Sequence, residues 1–136
     1  MKILTIIFII CLIIIPLGCK TTEIISEPIA ASVLYEDYVN NRIRADEHYR
    51  NKILTMDGVI SLIDRDNEDK AYLMLHTGHT SFIELGVVCY FKKENESDLV
   101  NLAKEQRVKI KGECVGIPSN SFYQHVTVIN CNVIIK

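Results

Sequence analysis

Hydrophobic residues form a run at the start of this chain that only Thr5 interrupts, and they alternate with polar residues after it. The apolar run covers residues 3–15, with Lys2 before it and Pro16-Leu17-Gly18-Cys19 after it. A short positive end, an apolar stretch of this length and a small residue before a cysteine are typical of a secretory signal that ends in a lipoprotein processing site. We therefore predict that residues 1–18 are removed as a signal peptide and that Cys19 is the lipidated N-terminus.

The processing site departs from the usual lipoprotein pattern. Leu commonly stands three residues before the cysteine and a small residue two before it, where this chain has Pro16 and Leu17. An uncleaved membrane helix is the alternative, but residues 3–17 would span only ~22 Å of a ~30 Å hydrocarbon core. The length favours cleavage. Lys20, rather than an aspartate, follows Cys19 and favours export to the outer membrane of a two-membrane bacterium.

Behind the leader, a polar stretch gives way to a helical pattern. Residues 20–30 are mostly polar and show no sustained period, which indicates that residues 19–30 are a lipidated tether. From Ala31, apolar residues recur near helical spacing with charges between them, which predicts an amphipathic helix that ends near Asn51. Ser32 is its predicted N-cap. The folded domain is therefore predicted to span residues 31–136.

Later segments carry the period of β-strands and are separated by turn-forming residues. Leu73 and Leu75 alternate with Tyr72 and His76, as in a half-buried strand. Gly58 lies inside the first predicted strand and indicates a bend or bulge. The five predicted strands are residues 53–63, 71–76, 83–91, 108–115 and 123–135, and a short helix over residues 94–105 lies between the third and the fourth.

The order of these elements predicts the fold. Three strands, a helix and two strands is the order of an OB-fold, a five-stranded, partly open barrel. The predicted class is mainly β: a five-stranded OB-fold barrel with an N-terminal amphipathic helix and a short helix between strands three and four. A mature chain of about a hundred residues is long enough for one modest core.

Several spaced residues also resemble a known bacterial family. The matching positions are Tyr38, Asn41, Ala45-Asp46, Tyr49, Lys52, Gly58, Lys109, Gly112, Cys114 and Gly116. At these spacings the chain resembles the tRNA_anti-like family over residues 33–135. The resemblance implies a fold similar to nucleic-acid-binding OB domains, and many members are described only as lipoproteins, so it implies ancestry rather than an activity. Asp46 and Lys52 are expected to serve helix-to-barrel packing or hydrogen bonding.

Net charge disfavours one class of partner. The full chain has a formal net charge of -2, and the leader carries only Lys2 among its charges, so the mature chain is more acidic still. Sequence-independent nucleic-acid binding draws its affinity from a surplus of Lys and Arg. Nucleic acid is therefore the less favoured partner.

The outer face of strands two and three is the usual binding surface of an OB barrel. Leu73 and Leu75 are expected to face the core, so Met74 and its alternate neighbours face outward, and an inward Cys89 leaves Val88 outward too. The candidate ligand-binding residues are Tyr72, His76 and Tyr90, which can stack on bases or sugar rings, with Lys70 and Lys92 nearby. The alternative is that tyrosines simply suit a half-exposed strand.

Metal and catalytic signatures are weak. His76 and His79 lie at a turn without a partner set of carboxylates and cysteines. Residues 64–69 carry acids at alternate positions as in a calcium loop, but the required glycine and distal glutamate are missing, which indicates a charged hairpin tip. The sequence has no nucleophile elbow, phosphate-binding glycine loop or Cys-x-x-Cys. We expect a non-enzymatic protein with no metal and no cofactor.

Three cysteines remain in the mature domain, and an exported protein can form disulfides. Strands four and five form a hairpin in OB order, so a bridge between Cys114 and Cys131 is the first option, worth about 3 kcal/mol through loop closure. Cys89 with Cys131 is a second option. Three buried free thiols are the third.

Two functional classes follow. The first is a non-enzymatic lipoprotein of the bacterial cell envelope, held at a membrane through Cys19, whose OB barrel binds a glycan or a protein. The second is a single-stranded nucleic-acid-binding domain. Export and acidity favour the first, and salt dependence separates the two, because phosphate binding weakens steeply with added salt.

Overall fold

The structure is a computed structural model that describes Gly18, residues 20–78 and residues 85–135. Residues 1–17 of the predicted leader, Cys19, His79 and the start of the predicted third strand therefore lie outside the described residues. Within the described ranges, no helix has the length and apolar character needed to cross a membrane.

A closed barrel forms the body of the protein. The described elements, in chain order, are β1 (Ile29–Ala30), α1 (Ala31–Asn40), α2 (Arg42–Tyr49), β2 (Ile53–Arg65), β3 (Ala71–His76), β4 (Gly86–Phe91), a 3-10 helix (Lys93–Leu99), β5 (Arg107–Gly116) and β6 (Val126–Ile135). Antiparallel pairing joins β2 to β3, β3 to β4, β6 to β5 and β5 back to β2, and β4 runs parallel to β6. This five-stranded barrel with one extra strand confirms the predicted OB-fold.

The first barrel strand, β2, is long enough to pair with two neighbouring strands. Residues 53–59 of β2 pair with β5, and residues 60–65 pair with β3. The predicted bend is present, but the register shifts between Ile60 and Leu62 rather than at Gly58. A Cβ at Gly58 would lie 3.2 Å from the Cβ of Ala31. Gly58 therefore allows α1 to pack closely on the barrel.

The predicted N-terminal helix is two helices. Asn41 has extended backbone angles (φ -158°, ψ 90°), and its side chain accepts a hydrogen bond from the Arg44 backbone N–H (3.1 Å), which caps α2. A capping asparagine competes with the continuing helix for backbone hydrogen bonds. The predicted N-cap was wrong as well: α1 begins after Ala30, and Ser32 lies inside it.

Part of the predicted tether belongs to the barrel. The Ile53 N–H donates to the Glu23 carbonyl and the Ile25 N–H donates to the Ile53 carbonyl, both at 2.9 Å. Farther along, β1 pairs in parallel with Met56 and Asp57 of β2. We call residues 23–30 the docked segment. Its Ile25 and Ile29 pack half-buried against the core.

The element between β4 and β5 lies where it was predicted but is shorter. The 3-10 helix ends at Leu99, and turns follow up to β5. Leu99 and Leu102 are buried as the helical pattern predicted, whereas Ala103 is exposed. The side chain of Asp98 accepts from the Val133 N–H (3.2 Å), which ties the element to β6. The predicted start of the last strand was early, since β6 begins at Val126.

Side chains on alternate positions of the strands fill the barrel interior. Leu73, Leu75 and Cys89 are completely buried. Met74 and Val88, predicted on the outer face, are each only 7 % exposed. They lie opposite each other in the β3–β4 register, and each therefore shields the other. The middle of the outer face is apolar and largely covered.

The described cysteines are buried free thiols. The predicted Cys114–Cys131 bridge is absent, because Cys114 lies opposite Val128 and its Sγ is 3.5 Å from the Tyr38 hydroxyl. Cys131 instead packs beside Cys89, and their hydrogen bond, followed by burial, raises the pKa of the Cys89 thiol. The third alternative, buried thiols that fill the core, describes the structure.

Candidate binding groove

Two tyrosines meet on the outer face of the barrel. Tyr72 of β3 and Tyr90 of β4 are direct partners in the antiparallel register. Their ring centroids lie 5.6 Å apart at an interplanar angle of 46°. Both residues are half-buried. Tilted rings at this separation are a favourable aromatic arrangement, and the accessible part of each ring offers a face on which a ring-bearing ligand can stack.

A groove lies beside this pair. Its volume is about 800 Å³, within the range of small-molecule sites. It is lined by residues 66–70 of the β2–β3 turn, residues 90–93 at the end of β4, Glu96 of the 3-10 helix, and Thr127, Ile129 and Asn130 of β6. Three of the predicted residues, Lys70, Tyr90 and Lys92, therefore share one groove, and Tyr72 contacts it through Tyr90.

The side chain of Asp66 organises the turn at the groove's edge. Its Oδ1 accepts from the N–H groups of Glu68 (2.9 Å) and Lys70 (3.0 Å). The Asp66 N–H donates to the Lys70 carbonyl (3.0 Å). Aspartate commonly fixes turns through such bonds to the following backbone. The charged hairpin tip predicted from the sequence is thus an ordered wall of the groove.

The groove carries both signs of charge. Its charged lining residues are four acids, Asp66, Glu68, Asp69 and Glu96, and three lysines, Lys70, Lys92 and Lys93. Lys70 Nζ lies 2.5 Å from Glu68, and Lys93 Nζ lies 3.2 Å from Glu96. The hydrogen bond to Glu68 raises the pKa of Lys70. Two of the three lysines are thus neutralised locally, and the lining offers no continuous positive track for phosphates.

A two-pronged ion pair joins the strand and the helix that flank the groove. Arg65, at the end of β2, donates to both carboxylate oxygens of Glu96, at 3.2 and 2.8 Å. Such bidentate contacts are among the stronger hydrogen bonds in proteins. The bond from Arg65, with a further one from Lys93, lowers the pKa of Glu96 to about 2. Glu96 is therefore ionised at neutral pH.

Tyr90 is a neutral hydrogen-bonding group in this setting. Burial first, and the nearby Asp66 carboxylate second, raise its pKa. Its phenol therefore keeps its proton at neutral pH. That proton is directed to the Asp66 carboxylate, and the phenol oxygen can accept a hydrogen bond from a ligand hydroxyl. The groove combines an aromatic surface with carboxylates, an amide and a phenol, a set suited to hydroxyl-rich ligands.

One predicted site residue lies apart from the others. His76 is four residues beyond Tyr72 on β3, roughly 13 Å along the strand. Its Nδ1 accepts from the Gly78 N–H (2.7 Å), so its side chain bonds to the backbone just after β3. The predicted lipidation site, Cys19, lies outside the described residues. Within the described ranges, no group of three or more His, Cys, Asp or Glu is placed to hold a metal ion.

The sequence did not predict two features: the wall of the groove that β6 contributes, and a second aromatic cluster in the β5–β6 loop. Thr127 and Ile129 come next to Tyr90 because β4 and β6 pair in parallel, a contact between distant parts of the sequence. In the β5–β6 loop, the rings of Phe122 and Tyr123 lie 5.3 Å apart, and Phe122 is 91 % exposed. The available signal for this cluster was two adjacent aromatic residues at the start of the predicted fifth strand.

The sequence profile of one family covers most of this domain. The tRNA_anti-like family matches residues 19–132. The chain belongs to the tRNA_anti-like family. No functionally curated protein matches it in sequence.

Solved structures share the fold of this tRNA_anti-like domain at low identity. A proposed nucleic acid-binding lipoprotein of Klebsiella pneumoniae subsp. pneumoniae MGH 78578 is 18% identical with a TM-score of 0.63, over 79% of this chain and 91% of that one. A proposed aspartyl-tRNA synthetase of Leishmania major Friedlin is 13% identical with a TM-score of 0.51, over 81% of this chain and 21% of that one. At these identities the likeness concerns the fold.

Residues of the tRNA_anti-like pattern converge where the helices dock on the barrel, not in the groove. A Cβ on Gly116 would lie 2.6 Å from Asp46 Oδ1 and 3.1 Å from the Tyr38 hydroxyl. That hydroxyl also contacts Cys114 Sγ, and Asp46 lies 3.6 Å from Arg50. We call Tyr38, Asp46, Cys114 and Gly116 the helix–barrel junction. The prediction that Asp46 serves packing agrees with this position.

Proposed function

We propose that this protein is a non-enzymatic, membrane-anchored binding module of the bacterial cell envelope, whose groove takes a neutral, hydroxyl-rich ligand of the glycan class. Residues 1–18 are the signal peptide and lipid on Cys19 is the anchor, in the outer membrane. The observation that carries the ligand class is the Tyr72–Tyr90 pair beside a groove of mixed charge.

The chemistry of the groove supports a glycan over a polyanion. A sugar ring presents an apolar face, which stacks on aromatic rings, and hydroxyls, which bond to carboxylates and amides. Tyr90, Asp66 and Asn130 supply these groups within one groove. A phosphate chain would instead meet acids whose charges repel it. We therefore place an oligosaccharide of the envelope before any nucleic acid.

Single-stranded nucleic acid is the second candidate. Its support is the description of the Klebsiella neighbour as a proposed nucleic acid-binding lipoprotein. Lys92 is an exposed cation in the groove, and the two tyrosine rings can stack on bases as well as sugars. The two candidates share the aromatic surface and differ in how far affinity depends on cations.

Salt dependence tests this choice. The domain without its leader would be titrated with cell-wall glycan fragments and with oligodeoxythymidine, each at 50 and 200 mM salt. We expect glycan binding that changes less than about twofold, because no counterions are released from a neutral ligand. Oligonucleotide binding that weakens tenfold or more with salt, in the absence of glycan binding, would favour the second candidate and remove the first.

A further inference from the structure

The docked segment links the predicted anchor to the barrel in a defined direction. Residues 23–30 hold to β2 through the Glu23 and Ile25 backbone bonds to Ile53 and through the β1 pairing with Met56 and Asp57. An ion pair between Lys52 and Glu23 (3.4 Å) adds to these contacts. The segment is therefore held at both of its ends.

The direction of the pairing decides where the chain leaves the barrel. The docked segment runs parallel to β2, with Ile24 beside Ile53 and Ala30 beside Asp57. Residues before Glu23 therefore continue past the start of β2, away from its far end. The β2–β3 turn that walls the groove follows that far end, at Arg65.

Very little chain remains as a spacer. Between Cys19 and the docked segment lie residues 20–22, which reach roughly 10 Å when fully extended. β2 has 13 residues, or roughly 40 Å along the strand, less where it bends. The spacer is thus too short for the barrel to turn its groove toward the surface that holds Cys19.

We propose that the docked segment holds the barrel on the membrane in one orientation, with the start of β2 toward the bilayer and the groove away from it. The inference rests on the proposed lipid anchor at Cys19. The lipid surface is the partner of the β2-start end, where Ile24 is 58 % exposed and can enter the interface. The groove then faces the aqueous compartment on the side away from this bilayer. It binds a ligand from that compartment rather than a lipid headgroup of the bilayer that holds Cys19.

Fluorescence quenching measures this orientation. The full chain, exported and processed in a bacterial host, would be reconstituted into vesicles of phosphatidylethanolamine and phosphatidylglycerol that contain nitroxide-labelled lipid. Single labels go on Glu47→Cys, on α2 near the start of β2, and on Asn67→Cys, in the groove turn; both positions are exposed. The native thiols of the described domain are buried. We expect at least twofold stronger quenching at position 47 than at position 67.

Two altered chains test whether the docked segment is the cause. Ile25→Asp places a charge on a half-buried docking side chain, whereas Val100→Asp, the matched control, changes an exposed apolar side chain outside the docked segment. We expect the first to reduce the difference between the two labels and the second to preserve it. A Gly-Ser insert of about ten residues after Lys20 leaves the barrel untouched and should also reduce the difference, because a flexible spacer permits rotation.

The outcomes separate this inference from the proposed function. Equal quenching at both labels in the unaltered chain would overturn the orientation, and a difference that survives the Gly-Ser insert would overturn the docked segment as its cause. Either result leaves the anchor in place. A processed chain that does not float with vesicles would overturn the anchor, and the orientation with it.

Discussion

At the scale of single residues, the helix–barrel junction shows how a few side chains dock one element on another. Gly116 has φ +87°, a conformation that residues with a Cβ rarely adopt, and it lies against Asp46 and Tyr38. Burial, with a hydrogen bond to Cys114, raises the pKa of Tyr38, so its hydroxyl remains protonated. The junction explains why the family pattern joins positions so far apart in sequence.

We expect Gly116→Ala to destabilise the fold by about 2 kcal/mol or more, since backbone strain adds to a steric conflict. Gly78→Ala is the matched control: Gly78 has a similar φ of +83°, but no described residue lies within 4 Å of an added Cβ. Urea unfolding of both variants measures the difference. Equal losses of stability would show that the contact with Asp46 contributes nothing.

The buried thiols allow a second prediction at this scale. Cys89, Cys114 and Cys131 are completely buried. In the domain without its leader, we expect them to resist alkylation in the native state and to react together after unfolding, with the same melting temperature in the presence and absence of reductant. Non-reducing peptide mapping that finds a linked pair would contradict this arrangement.

At the scale of elements, the groove depends on a turn and a helix that are held in place by carboxylates. Asp66 closes the β2–β3 turn through two backbone N–H groups, and Glu96 binds the end of β2 through Arg65. Neither contact is part of the barrel's ladder of hydrogen bonds. Each can therefore be removed while the barrel stays folded.

Asp66→Ala is expected to loosen the turn and weaken ligand binding, because two backbone donors lose their acceptor. Asp66→Asn keeps a side-chain oxygen at the same place and should retain more of the binding. The loss of stability should be about 1 kcal/mol for the alanine variant. Calorimetric titration and thermal unfolding of the pair check this, and equal behaviour of the two variants would count against the turn's role.

The Arg65–Glu96 pair predicts an acid-sensitive stability. Because the pKa of Glu96 is lowered from 4.5 to about 2, the unfolded chain binds its proton at a higher pH than the folded chain. The pair's stabilisation is therefore complete above about pH 4.5 and is lost as the pH falls toward 2. We expect the difference in unfolding free energy between the wild type and Glu96→Gln to shrink over that window, and a constant difference would contradict it.

The elements that could be predicted are those whose pattern is local. Leu73 and Leu75 alternate within one strand, so β3 was placed to the residue, and the order of elements was sufficient to predict the barrel. The break at Asn41 was missed because apolar spacing continues across it. The wall of the groove at Thr127 was missed because the β4–β6 pairing is not local. The two tyrosines and two of the lysines at the groove were predicted from the sequence as binding residues, whereas the acidic residues beside them were not.

At the scale of the whole molecule, we propose that the groove binds the ligand and that the opposite end of the barrel faces the membrane. The groove lies near the far end of β2, and the docked segment leaves from its start. Several residues of the family pattern form the helix–barrel junction and none lines the groove, so membership in the family is a statement about the scaffold. In the proposed function, residues outside that pattern, such as Tyr72 and Tyr90, contact the ligand.

The most direct test of the central claim is calorimetric titration of a cell-wall glycan fragment into the wild type and into the double variant Tyr72→Val, Tyr90→Val. Valine keeps a strand-forming side chain and removes the ring. Tyr123→Ala, which removes a ring from the β5–β6 loop, is the control. We predict measurable binding to the wild type, at least a tenfold loss in the double variant and little change in the control. An affinity unchanged by the loss of both rings, or no binding by the wild type to any glycan fragment, would contradict the account.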